Sequence, residues 1–166
     1  MVIELRDDKD IKPRKATTCK QIPTHWQEDT HKMVNKFVNN DIVERVPVDE
    51  VLDWISPAFF VPKPGEKAGL QLVTDFTQLN KYVKRPVNLS SDITKGIAAG
   101  AKFFCKLDAV QGYHQIALLE ESRKLTTFLL PQGKFRYKWG PMGLTSTNDC
   151  WCYRSCLLYT SPSPRD

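Results

Sequence analysis

Lys106-Leu107-Asp108-Ala109-Val110-Gln111-Gly112-Tyr113 describes a strand that ends on an acid and turns at once toward an aromatic ring. The residues leading into it, Phe103-Phe104-Cys105-Lys106-Leu107, are aromatic and apolar, the make-up of a buried strand, and the carboxylate follows where such a strand surfaces. An acid there can hold a hard cation through oxygen. A lone Asp at a strand end is more often a turn or cap residue, so Asp108 decides nothing by itself. Gly112 lets the backbone turn or come close to a ligand, and Tyr113 supplies a rigid wall. Together they describe a metal ion beside a shaped pocket.

On the N-terminal side, Thr24-His25-Trp26-Gln27 has the form of a capping box, and Trp26, Met33, Val34, Phe37 and Val38 recur on one helical face until Asn39-Asn40 interrupts them. The spacing predicts an amphipathic helix whose stripe is core, with His25 and His31 on its surface. Residues 42–46 and 58–61 are β-formers, kept short or at a sheet edge by Pro47, Pro57, Pro62 and Pro64. A loop over 64–69 joins them to a strand at 70–76, completing a hairpin. Residues 91–95 can cap a helix reaching Gly96 or Ala99, which leads into the Asp108 strand. Beyond Tyr113, residues 125–130 read as a strand, 130–133 as a type I turn, 135–139 as an alternating partner strand and 148–153 as a helix.

The chain of 166 residues is about one domain long. Its 24 Lys and Arg against 19 Asp and Glu leave a formal charge of +5, which suits a polyanionic partner without compelling one. Lys9, Lys12, Arg14, Lys15 and Lys20 read as an exposed extended arm; Lys81, Lys84 and Arg85 form a short cluster fit for phosphates; Lys134, Arg136 and Lys138 read as the solvated face of a hairpin. Five scattered cysteines argue against a disulfide framework and for a reducing compartment, and Cys150-Trp151-Cys152 lacks the second pair that would complete a zinc site. The first residues show no secretory signal, and no apolar run is long enough to span a bilayer.

Five blocks stand in a fixed order: Trp54-Ile55-Ser56-Pro57-Ala58-Phe59-Phe60-Val61-Pro62-Lys63, Val73-Thr74-Asp75-Phe76-Thr77-Gln78-Leu79-Asn80, the Asp108 stretch, Leu125-Thr126-Thr127-Phe128, and Pro141-Met142-Gly143-Leu144-Thr145. In that order and at those distances the chain resembles the reverse transcriptases of gypsy-type long-terminal-repeat retrotransposons, from about residue 10 to Ser155. The resemblance implies an α+β fold, the fingers and part of the palm of a right-hand polymerase: fingers at 1–84, palm at 85–116, fingers again at 117–146, and the start of a second palm segment at 147–155. Residues 156–166 break the pattern and read as a sequencing-adapter or cloning artefact.

The implied activity is RNA-directed DNA synthesis by two-metal nucleotidyl transfer, with Mg2+ or Mn2+ as cofactor. The implied partners are an RNA template, a DNA primer, deoxynucleoside triphosphates and the protease, RNase H and integrase domains of a polyprotein, with no membrane, in the cytoplasm within a virus-like particle and with access to the nucleus. By the same resemblance Asp108 is the catalytic metal ligand, joined by the backbone carbonyl of Ala109. Tyr113 stacks under the sugar and excludes a 2′ hydroxyl, while Gln111 and Gly112 meet the nucleotide through the main chain. Lys63 stands at the hairpin tip, where a lysine neutralises triphosphate charge, although a solvated loop lysine is as good a reading. Met142 offers an apolar surface to the sugar, and Asp75, Asn80 and Gly143 lie near the template, the first two in a largely structural role.

The chain departs from the family at three places. Gln71 stands where an arginine is usual, which puts triphosphate affinity in doubt; Met142 replaces an aromatic or Gln; and Ser146-Thr147-Asn148 replaces Asn-Ala-Pro. The family's remaining carboxylates come in an aromatic-x-Asp-Asp motif a few tens of residues beyond Gly143, past the last residue here, so the isolated chain is expected to be inactive. The alternative is a stand-alone, non-catalytic nucleic-acid-binding module.

Overall fold

A computed structural model describes residues 1–7, 10–63, 69–85 and 109–160, with side chains as far as 155. The strand expected to carry Asp108, the helix expected at 91–99, Lys9 and the loop at 64–68 lie outside the described residues.

Five strands, β1 (Val43–Arg45), β2 (Ser56–Pro62), β3 (Leu70–Thr74), β4 (Phe128–Leu130) and β5 (Gly133–Tyr137), form one sheet in the order β1-β5-β4-β2-β3. All neighbours are antiparallel except β2 and β4, which run parallel at Ser56↔Phe128 and Pro57↔Leu129. Burial alternates along β2 and β5, so Ser56, Ala58 and Phe60, and Phe135 and Tyr137, turn to one side as the two-residue strand period requires. Phe128 stacks on Phe135 with centroids 5.9 Å apart, and Tyr137 tilts against Phe128 at 5.0 Å and Phe76 at 6.3 Å. This aromatic group is the centre of the core. The Tyr137 phenol, fully buried, is pushed up to about 12 by desolvation, which its hydrogen bond with Thr74 partly offsets.

β2 corrects the expectation of a short or edge strand: it has seven residues and lies inside the sheet. Its prolines are tolerated because it changes partner. Ser56 and Pro57 pair with β4, residues from Ala58 onward pair with β3, and at the junction Pro57 needs no donor because it accepts from the Asp75 N–H.

Helix α1 (Gln27–Asn39) buries Val34 and half-buries Met33, Phe37 and Val38, as its periodicity requires. His25 and His31 are exposed. The capping box does not form. Thr24–Trp26 is a 3-10 turn closed by the backbone, with Trp26 N–H on the Pro23 carbonyl, so Thr24 lies inside the turn and makes no cap. The other end is a Schellman closure. Ile42 N–H reaches the Phe37 carbonyl and Asp41 N–H the Val38 carbonyl, with Asp41 in the left-handed region at φ 58°.

Residues 125–127 are not strand. α3 (Glu120–Arg123) continues as a 3-10 turn over Lys124–Thr126, because Thr126 and Thr127 donate their hydroxyls back to the Arg123 and Lys124 carbonyls, and this local bonding displaces the ladder until Phe128. The 130–133 turn is a two-residue connection between paired Leu130 and Gly133. α2 (Thr77–Tyr82), which no sequence signal announces, starts where Asp75 Oδ1 accepts the Thr77 N–H. The last helix, α4 (Thr145–Thr160), begins three residues before the expected 148 and runs into the segment from 156 that breaks the family pattern.

The basic arm is also not free. Lys15 bridges to Ile55, Arg14 pairs with Asp75, Lys15 with Asp53 at 3.5 Å, and Lys20 lies 4.0 Å over the Phe59 ring. The N-terminal residues are core: Ile3 is buried, and Leu5 bridges to Val83. Among the described residues no helix is long and apolar enough to cross a membrane.

Candidate active site

Asp108 and the strand before it lie outside the described residues, so the site is built from residues 109–115 and the side chains packed against them. Ala109 and Val110 are exposed. Gln111 then takes a left-handed conformation, φ 51° and ψ 44°, and the chain folds into a 3-10 turn over Gly112–Gln115. Two bonds hold the loop: Gln115 Nε2 donates to the Val110 carbonyl at 3.0 Å and the His114 N–H to the Gln111 carbonyl at 2.9 Å. Burial pushes the His114 imidazole below its ordinary range, and its ring meets Phe37 edge-on.

Tyr113 is half-buried against α4. Its hydroxyl donates to Asn148 Oδ1 at 3.1 Å, and its ring makes an edge contact with Trp151, centroids 6.4 Å apart. Gly140 N–H, just before the Pro141 block, donates to the Ile116 carbonyl at 2.7 Å.

Asn80 joins the two halves. Its Nδ2 donates to the Gly143 carbonyl at 2.9 Å, while its Oδ1 accepts from the Thr145 N–H at 3.0 Å and the Thr145 hydroxyl at 3.2 Å. One side chain thus fixes the 143–145 turn and the start of α4. Gly143 sits at φ +89°, strained for any residue with a Cβ, and a Cβ there would pack on the Thr74 carbonyl and Phe76. Asp75 acts beside Asn80: its hydrogen bonds from Thr77, then the Arg14 guanidinium, hold its carboxyl below the usual carboxylate range. Gln71 Nε2 reaches Met142 Sδ at 3.6 Å, so two of the departing residues touch, and Met142 is otherwise exposed. Lys63 is exposed, its N–H donating to the Gly69 carbonyl where the loop leaves the β2–β3 ladder.

Two residues offered for phosphate binding serve elsewhere. Arg85 forks onto buried Asp149, Nε to Oδ2 at 3.0 Å and Nη2 to Oδ1 at 2.9 Å, and Lys84 pairs with Asp7 at 2.9 Å. Arg136 likewise grips Glu44 at 2.5 Å and Glu50 at 2.8 Å, Lys134 caps the Val48 and Glu50 carbonyls, and Lys138 holds Asp41. The expected solvated face of the hairpin is therefore tied down, by ion pairs at Arg136 and Lys138 and by two main-chain carbonyls at Lys134. Sequence reasoning misses Asn148, Trp151 and Asp149, because a side chain that serves by position on a helix carries no motif of its own. Among the described residues no group of three or more His, Cys, Asp or Glu is placed to hold a metal ion.

No protein-family model matches the chain. It is 32% identical over 149 residues to the retrovirus-related Pol polyprotein from transposon 412 of Drosophila melanogaster, covering 86% of this chain and 11% of that one. It is 33% identical over 127 residues to the Pol polyprotein from transposon gypsy of the same organism, covering 69% and 12%. The foamy viral protease-reverse transcriptase in complex with ds DNA shares its fold, with a TM-score of 0.64 at 14% identity over 92% of this chain and 25% of that one. The same enzyme in complex with an RNA/DNA hybrid gives 0.62 at 15% identity over 91% and 20%. The chain thus spans about a tenth of the length of the retrotransposon polyproteins it matches. With the reverse-transcriptase fold and this identity in hand, the chain is a reverse-transcriptase-like fragment related to the Pol polyproteins of gypsy-like retrotransposons.

Proposed function

We propose that the chain is the nucleotide-facing part of an RNA-directed DNA polymerase, with fingers at 1–84 and 117–146 and palm at 85–116 and 147–155. The observation that carries this reading is the identity to Pol polyproteins across the blocks that the Asn80 bonds hold together. The complexes of the foamy viral enzyme with DNA and with an RNA/DNA hybrid support a template-primer duplex as partner.

In this reading Asp108 and the main-chain carbonyl of Ala109 would hold magnesium or manganese, since hard divalent cations take oxygen donors. Held there, such ions would supply acidification of the primer hydroxyl and neutralisation of triphosphate charge. The chain's own residues do the positioning. Asn80 and Gly143 fix the turn that carries Met142, and Gln71 and Met142 face the nucleotide as an uncharged pair where the family has a cation, so triphosphate charge falls to Lys63 and the ions. Tyr113, behind the strained Gln111 turn, walls off the sugar. Asp75 keeps the template side of the fingers in place through Arg14 and Thr77. With Asp108 as the only assured site carboxylate, the isolated chain would hold metal weakly and be inactive. The protease, RNase H and integrase partners and the cytoplasmic, particle-bound setting belong to the same proposal. The alternative of a stand-alone binding module is less well supported, because the sequence identity is to Pol polyproteins.

Primer extension tests it. The 166-residue chain should give no product on an RNA template, while the complete polymerase carrying this segment extends the primer and loses synthesis on Asp108→Asn. Undiminished synthesis by that variant refutes the assignment.

A further inference from the structure

We propose that Asn148 and Trp151 are positioning residues for Tyr113, a clamp on α4 that sets how strictly the site tells deoxyribose from ribose. The inference rests on the reading of Tyr113 as the wall beside the sugar, and deepens it.

The two clamp residues are three apart near the start of a helix, so they share one face and reach the same ring. Asn148 takes the hydroxyl at one end of the tyrosine, and Trp151 lies edge-on to its ring. The backbone behind is blocked as well. A Cβ on Gly112 would come within 2.9 Å of Trp151 Cζ2, and one on Gly140 would come within 3.0 Å of the Tyr113 carbonyl. The ring is thus held at its tip, its side and its base, on a turn whose first residue is already in the left-handed region.

A wall that discriminates by one hydroxyl must not tilt away when that hydroxyl presses on it. Tyrosine alone swings about its side-chain bonds, and a tether at the phenolic oxygen removes that freedom at the point of greatest leverage. Asn148 stands in Ser146-Thr147-Asn148, where the resemblance described above implies Asn-Ala-Pro, and proline has no side-chain group to accept the bond. Stringency held by this hydrogen bond is therefore a property of this sequence rather than of the motif.

Two measurements test the clamp. In the complete polymerase carrying this segment, incorporation of deoxyATP against ATP is compared by kcat/KM. A neutral hydrogen bond of ordinary strength predicts that Asn148→Ala lowers the deoxy preference about three- to ten-fold. Asn148→Asp, which keeps an acceptor, should restore most of it. Tyr113→Phe should match Asn148→Ala, and the double variant should lose no more than either single one. In parallel, the 166-residue chain labelled with fluorotyrosine gives a Tyr113 resonance, assigned by its loss in Tyr113→Phe, which Asn148→Ala and Trp151→Phe should shift or broaden. If Asn148→Ala moves neither the resonance nor the preference, or if the single losses add in the double variant, the clamp is refuted. A moved resonance with an unchanged preference refutes its role in selectivity while leaving the polymerase reading intact. A complete wild-type enzyme that extends no primer removes the functional reading itself, whatever the resonance does.

Discussion

The two ends of the described molecule are held together by different chemistry. At the β1–β5 end, charge is met by charge: Arg136 bridges Glu44 and Glu50, Lys138 holds Asp41, and Lys134 reaches two carbonyls. Around Asn80 and Tyr113 the fixing groups are mostly neutral: an amide on Gly143 and Thr145, a phenol on Asn148, a second amide on a thioether. The first end uses its basic residues to hold its own loops, and burial works against the Arg136 guanidinium while the two glutamates more than offset it and keep it above its ordinary value. Beside these neutral groups stand two ion pairs, Arg14 with Asp75 and Arg85 with buried Asp149. Under the proposed polymerase reading, a surface receiving a polyanion and cations would gain from such a mostly neutral scaffold, because fixed ion pairs within it would compete with the ligand for the same groups.

The largest effect is expected at Arg136. Arg136→Ala leaves two half-buried carboxylates facing each other and should lower stability by about 1.5–3 kcal/mol, the range for hydrogen bonds to charged groups. The loss should shrink in about 1 M salt, which screens the Glu44–Glu50 repulsion. Urea midpoints at two salt concentrations measure it. A salt-independent loss would mean that the lost packing of the arginine stem, and not charge, held that end. Asn80→Ala should cost less, about 1–2 kcal/mol, because its partners are half-exposed and water replaces the bonds. Its effect should be the same at both salt concentrations. If it too were salt-dependent, the distinction between the two ends would fail.

Legibility in the amino-acid sequence divides along the same line. The α1 stripe and the β2–β3 and β4–β5 hairpins can be read there, because periodicity and turn residues are local signals, whereas the Asp75-to-Asn80 block is legible only through the resemblance. The ion pairs cannot. Arg136 and Glu44 are 92 residues apart, and alternation shows only that Arg136 leaves the core, not what meets it there. The N-terminal residues fail for a like reason: Ile3 and Leu5 lie in a segment with no period, and their place is set by Ser122 and Val83, far along the chain. Pro57 misleads because its cost depends on which neighbour each strand edge faces. At the site, residue types are legible where a motif carries them, as at Asn80, Gly143 and Tyr113. Asn148 and Trp151 matter through a helix face that forms only once α4 is docked.

The smallest expected effect falls on Asp75, a charge set in the neutral region. Its folded carboxyl titrates below the unfolded one because Thr77 and Arg14 favour the anion. A depressed carboxylate gives stability that is present above the unfolded pKa, about 3.9, and is lost as pH falls through the lower folded value. The side chains of Arg14 and Asp75 are 44% and 32% exposed, so solvent screening keeps the gain to about 0.5 kcal/mol. Asp75→Asn should therefore differ slightly from wild type at pH 7, and the gap should close as both are taken to about pH 2. Thermal midpoints across that range check the sign. A gap that widened in acid would mean that the carboxyl is raised in the folded state, and that Arg14 docks there for reasons other than its charge. A gap of several kcal/mol at neutral pH would place Asp75 with Arg136, among the charges that hold the fold, and the neutral character of the site would have to be given up.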